Sequence, residues 1–196
     1  YYALVTVGAA VFVLMLLRAS RTIILPLWGD RLGLSVTAIG AVMSAAAAVD
    51  LAMFVPAGII ADRAGRKVSG SLCIGLFSAG VLLIPVTNGV AGFIIAGIVI
   101  GLGNGLGAGI NMTLGTDLAP DGAVGSFLGL WRLFGDVGAM LGPAVVGAAA
   151  AAVGLSGALI VTGGLGVAGM LVMALLAPET RQSREWRPIR TVRPDG

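Results

Sequence analysis

An all-α polytopic membrane bundle of six helices is the fold this sequence predicts, on three observations. Of its 196 residues, 58% are hydrophobic and only 11% charged, with a mean hydropathy of +1.04. A soluble domain is about a quarter charged, so lipid is the solvent this composition suits. Six stretches reach the roughly 20 apolar residues that a helical span requires: 2–28, 36–61, 68–86, 90–116, 124–150 and 153–176, here spans a to f. Short segments of strict apolar–polar alternation, as a membrane β-barrel needs, are missing from the pattern.

Span a opens "YYALVTVGAAVFVLMLL". It lacks a basic leader and runs on into a full span, so it is not a signal peptide. It also opens inside a helix without Met, as a piece of a longer protein would. Arg18 and Arg21, three apart, share one face of it. Span b carries Asp50 and, shortly after, Pro56. Span c holds no charge; its Cys73 is the chain's one cysteine, so no internal disulfide can form, and a lone cysteine in an apolar helix is usually a small hydrophobe. Span d is uncharged but places Asn104 and Asn111 seven apart, two turns along one predicted stripe. It also repeats glycine every fourth residue, at Gly97, Gly101, Gly105 and Gly109. Such a register is a close-packing face in lipid, or, more sharply read, the track of a helix that must slide. Span e carries Arg132 and Asp136 on one face, then Gly138, Gly142, Pro143 and Gly147. Proline there removes a backbone donor and is expected to kink the helix, as a hinge or simply as shape. Span f is again free of charge, and residues 177–196 form a basic tail.

Charge placement sets the expected topology. Arg63, Arg66 and Lys67 follow span b, and Arg181, Arg184, Arg187, Arg190 and Arg193 follow span f. The a–b link holds only Asp30 and Arg31, and the c–d link holds no charge. Basic links collect on the cytoplasmic side, so the b–c link and the tail are expected inside a cell membrane. The d–e link joins them by parity despite Asp117 and Asp121. This makes the tail a topology signal rather than a nucleic-acid arm.

Charges inside hydrocarbon are expensive and should face the bundle interior. That turns spans a, b, d and e inward and lets c and f sit against lipid. Polar, polar, apolar is the order in a–b–c and again in d–e–f, as two inverted three-helix repeats would leave it. At a rise of about 1.5 Å per residue, Asp50 and Arg132 lie about 15 and 13 Å from the inner ends of their spans. Asp50 is therefore expected to pair with Arg132, and Asp136 with Arg18 or Arg21, as structural ion pairs or as working groups.

The link "GIIADRAGRK", 58–67, resembles the signature loop of the major facilitator superfamily, with Gly58, Asp62, Arg63, Gly65, Arg66 and Lys67 at matching positions. It falls after the second of six spans, on the predicted inner side. "FLGLWRLFGDVGAMLGP" resembles the eleventh helix of drug-efflux-like members, and "APETR" with a basic tail resembles the end of such a protein. Spans a–f are thus identified as the C-terminal six-helix half, although "GAMLGPAVVG" is similar to a fifth-helix motif of antiporters. The resemblance implies two six-helix halves rocking about a central site lined by a, b, d and e. It also implies that Asp62 meets the inner start of span e, whose free N–H groups favour an anion, and so latches one state closed.

The function expected is half of a secondary active transporter, moving a small organic solute by proton-coupled, multidrug-type efflux. Only Asp50 and Asp136 are acidic residues within the spans, and no span holds a Glu or His that could carry the proton instead. A sugar or metabolite uptake permease of the same fold is the alternative, as is a non-transporting scaffold or receptor. The expected partners are substrate, protons, the bilayer and the N-terminal half. No nucleic acid or cofactor is expected, and, with no histidine in the chain, no histidine metal site and no histidine proton relay. An enzyme is not expected either, because no activated serine or paired interfacial carboxylates stand out.

Overall fold

The computed structural model describes residues 2–87, 89–120 and 122–179; Asp121 and the basic tail from residue 180 onward lie outside the described residues. Described residues are helical almost throughout. Span a is α1 (Tyr2–Arg31). Span b is two helices, α2 (Val36–Ala52) and α3 (Phe54–Ala64), bent by 44° at Met53. Span c is α4 (Arg66–Val86). Span d is also two helices, α5 (Val90–Leu106) and α6 (Ile110–Leu118). Spans e and f share one helical run, α7 (Val124–Leu171), extended by a π-helical turn at Val172–Leu176 and interrupted at Gly154, where φ is 76° and ψ 170°. The segments Tyr2–Arg31, Arg66–Val86, Val90–Leu118 and Val124–Leu176 are long and apolar enough to cross a membrane, with mean hydropathies of 1.9 to 2.3.

The direction of each span follows from what its glycines touch. A Cβ added at Gly138 or Gly142 would sit 2.6 Å from the Phe12 carbonyl oxygen or 2.5 Å from that of Leu16, so e runs parallel to a. One added at Gly169 would meet Val13, and at Gly166 Leu17, so f runs antiparallel to a. The chain therefore reverses between them, at Gly154. Likewise Gly101 abuts the Ala46 carbonyl and Gly105 that of Asp50, so d is parallel to b. Gly80 against Ile100, and Gly103 against Phe77, make c antiparallel to d. Backbones approach this closely in lipid because small residues remove the intervening side chains, where van der Waals packing rather than water exclusion holds helices together.

These contacts carry an internal symmetry. Exchanging a with d, b with e and c with f turns the a·e contact into d·b and the c·d contact into f·a. It leaves the c·f contact of Gly163 with Leu82 in place. That is the arrangement inverted three-helix repeats produce. The core gathers around Leu14, Leu17, Ile24, Phe77, Phe93, Ile100 and Leu159, all of them buried.

The bundle ends are tied. At one end, Arg31 donates from Nη1 to Ser156 Oγ at 3.1 Å and stacks over Trp28, joining the a–b link to the start of span f. At the other, Arg66 joins the b–c link to Asp117 of the d–e link and to Glu179 after f.

Burial differs from the expectation drawn from charge. The charge-free spans c and f each bury one face, at Ile74, Phe77 and Val81 and at Ala158, Leu159 and Thr162. The least buried element is α2, with only Val42 and Ala46 inside, and span e leaves Leu130, Leu133 and Met140 exposed. Lack of charge lets a helix be buried as readily as it lets it face lipid. Position in the bundle decides, and b and e occupy its two flanks.

Candidate functional site

The functional geometry begins where span d breaks. After Leu106 the chain makes short turns, with Gly107 N bonded to Asn104 O and Ile110 N to Gly107 O. Gly109 then adopts φ 74°, a left-handed conformation that suits glycine alone. A helix end leaves carbonyls without their usual amide partners, and inside a membrane these must be satisfied by protein. Arg18 does so: its Nη2 donates to Asn104 O at 3.1 Å, a cation at a helix C-terminus. Its guanidinium passes beside Gly107 and the buried Sγ of Cys73, in space that a side chain at 107 would fill.

Asn104 reaches the other way. Its Nδ2 donates to Asp50 Oδ2, a short hydrogen bond, and the same oxygen lies 3.8 Å from Arg21 Nη1. The Asp50 side chain is 16% exposed and that of Arg21 22%. Four groups from three spans thus form one partly buried cluster around the break. Three of them, Arg18, Asp50 and Asn104, border a cleft of about 500 Å³ that Phe54, Ala108 and Gly109 also line.

Asp50 does not pair with Arg132, and Asp136 does not pair with Arg18 or Arg21. Arg132 and Asp136 face each other within span e at 3.9 Å, with side chains 80% and 69% exposed. Equal depth was the basis for the expected pairs, but depth does not fix the side of the bundle. Span b rests on d and span e on a, so they stand on opposite flanks. Span a meets e through Phe12, Leu16 and Ala19 and turns Arg18 and Arg21 to the other side.

Nor do Asn104 and Asn111 form one stripe, since the break lies between them. Asn111 instead accepts from Trp131 Nε1, at 2.7 Å on Oδ1 and 3.0 Å on its backbone oxygen. The pair lines a second, smaller cavity of about 200 Å³ with Met15, Arg132 and Asp136. The glycine register holds at Gly101 and Gly105 and ends at Gly109, which packs against nothing within 4 Å of its missing Cβ. Pro143 lies inside the helix, and the non-helical backbone within α7 is at Gly154 instead.

The loop 58–67 also differs from its expected role. Asp62 does not meet the start of span e, where Ala123 precedes α7 without any side-chain cap. Its carboxylate accepts from Arg66 Nη1 at 3.2 Å, one turn on, and is 73% exposed. The anion at a helix start is Glu179, which accepts from the backbone N–H of Arg66 at 2.8 Å and of Lys67 at 3.3 Å. Gly65, at φ 97°, permits this: an added Cβ would overlap the Glu179 carboxylate. Arg66 in turn reaches Asp117 Oδ2 from Nε at 3.7 Å. Arg63 is exposed, Lys67 is half-buried, and a Cβ at Gly58 would meet nothing within 4 Å.

Glu179, Asp117 and Trp131 had no assigned contacts in the sequence reading. Parity offered a signal for the first two: links b–c and d–e and the end of f fall at one bundle end, so their acids and bases can meet. Trp131 carried no comparable signal.

None of the curated proteins compared with the chain matches it. The model of the Major Facilitator Superfamily matches residues 7–193. A family match over nearly the whole length, on an all-α polytopic fold with paired inverted repeats, leads to one conclusion: the chain belongs to the Major Facilitator Superfamily, a family of secondary transporters.

Proposed function

We propose that this chain is one six-helix half of a transporter that moves a small organic solute across the cell membrane by alternating access, as a proton-coupled exporter. One observation carries the reading. The intramembrane charges of spans a and b meet at a broken helix and open on a cleft, instead of being buried as closed ion pairs. Asp50 is the coupling group on this account. It lines the cleft and is held by two partners, Arg21 and Asn104, which a proton can replace. Asp136, largely exposed beside Arg132, has no such linkage to the break in span d.

In the cycle, protonation of Asp50 loosens its hold on Asn104, and Asn104 shares its backbone oxygen with Arg18 at the end of α5. A proton is thereby linked to the geometry of the break, where α6 can tilt relative to α5. Close glycine contacts keep α5 fixed on α2 meanwhile. With the b–c link and the end of span f on the cytoplasmic side, the Glu179–Arg66–Asp117 ties lie at the inner end of the bundle.

Vesicles containing the full-length protein test this, with solute flux followed with and without an imposed pH gradient. Flux that follows the gradient supports the reading, and flux indifferent to it refutes proton coupling.

A further inference from the structure

Resting on the transporter reading, we infer that the cleft at the break of span d takes an organic anion, with its oxyanion on Arg18 and its apolar body against Phe54. Charge balance is the first reason. Arg18, Arg21 and Asp50 share the cluster, two cations to one anion, and Asp50 is already engaged by Arg21 and Asn104. Among the described residues no carboxylate lies in salt-bridge contact with Arg18, whose guanidinium reaches the Asn104 carbonyl and the Sγ of Cys73. A positive charge in a span needs a counterion, and an arriving anion supplies it. A cationic solute would instead meet the uncompensated arginine.

The donors are the second reason. The Arg18 guanidinium uses Nη2 on Asn104 O, and no hydrogen bond among the described residues engages its Nη1; its Nε is buried. The cleft wall runs through Ala108 to Gly109, the residue that precedes α6, a nine-residue helix whose N-terminus no side chain caps. Half-helix starts at a break in a transporter span suit anionic substrate groups. Here that start lies beside a guanidinium, the side chain best matched to carboxylate and phosphate oxygens.

Size is the third. A volume of about 500 Å³ lies within the range of small-molecule sites. Phe54, 52% exposed, offers a ring for the body of the solute.

Four ring-matched probes separate the possibilities: benzoate, phenyl phosphate, benzamide and benzylamine, titrated onto the full-length protein in nanodiscs. The expected result is that benzoate or phenyl phosphate binds at least tenfold more tightly than benzamide and benzylamine. The better of the two anions tells carboxylate from phosphate. Arg18→Gln is expected to reduce that anion to the level of benzamide, and Arg18→Lys to keep part of the preference. Equal or tighter binding of benzamide or benzylamine overturns the inference, as does full anion affinity in a folded Arg18→Gln protein. Because Arg18 also caps α5, Arg18→Gln can fail to fold, in which case the wild-type series decides alone. Flux of the same probes in proteoliposomes separates the two readings. Transport of benzylamine without anion binding sinks the anion site and keeps the transporter. Benzoate binding without flux of any probe does the reverse.

Discussion

Replacing Gly105 by alanine tests the packing that holds the cluster together. An added Cβ would lie 2.5 Å from Asp50 O, 2.6 Å from Met53 Cβ and 3.1 Å from Asp50 Cα. Ordinary contact begins near 3.4 Å, so α5 and α2 must part by about 0.9 Å at this level. Overpacking of this kind costs about 1–3 kcal/mol, and removing a glycine from a helix returns up to about 1 kcal/mol. With that gain subtracted, a net loss of up to about 2 kcal/mol follows. Gly147→Ala is the control: nothing lies within 4 Å of its missing Cβ, so only the gain of up to about 1 kcal/mol remains. Reversible unfolding in mixed micelles, followed by tryptophan fluorescence, gives both values. Opposite signs are expected. A Gly105→Ala protein as stable as Gly147→Ala would refute the close b–d contact, and with it the geometry that brings Asn104 to Asp50.

Paired substitutions test which charges meet. Arg21→Gln with Asp50→Asn should show a coupling of about 0.5–3 kcal/mol, whereas Arg132→Gln with Asp50→Asn should be additive to within about 0.5 kcal/mol; the unfolding measurement above reads both. Trp131→Phe removes the only donor to Asn111 Oδ1 among the described residues and should destabilise the fold by about 1 kcal/mol, seen as a lowered unfolding midpoint. Glu179→Gln keeps an acceptor near Arg66 N but loses the anion at the start of α4. Amide exchange at residues 66 and 67 should speed up several-fold, corresponding to about 0.3–1 kcal/mol, while residues at 96–101 stay unchanged.

The all-α membrane fold was legible because hydropathy and length suffice for it in lipid. The direction of packing was partly legible too: the glycines at 101 and 105, and at 138 and 142, announce close faces. What the sequence does not display is the azimuth of each helix. Asp50 and Arg132 share a depth but not a side, and nothing in one helix's periodicity says which neighbour it will meet. The break at Gly107–Gly109 was hidden in a glycine register that reads equally well as a continuous packing stripe. Only the left-handed Gly109 separates the two, and it also moves Asn111 away from Asn104. The contacts of the loop at 58–67 were not legible: Asp62 was expected at the start of span e and instead accepts from Arg66. The loop's anion partner, Glu179, comes from more than a hundred residues away, and a separation of that kind leaves no local trace.

In the proposed cycle, the cluster at the break of span d couples protons to solute movement through Asp50. Proton-driven flux in proteoliposomes of the full-length protein, compared between Asp50→Asn and Asp136→Asn at matched insertion, tests it most directly. Asp50→Asn is expected to abolish the response to the pH gradient, and Asp136→Asn to retain it. An undiminished response in Asp50→Asn would contradict it.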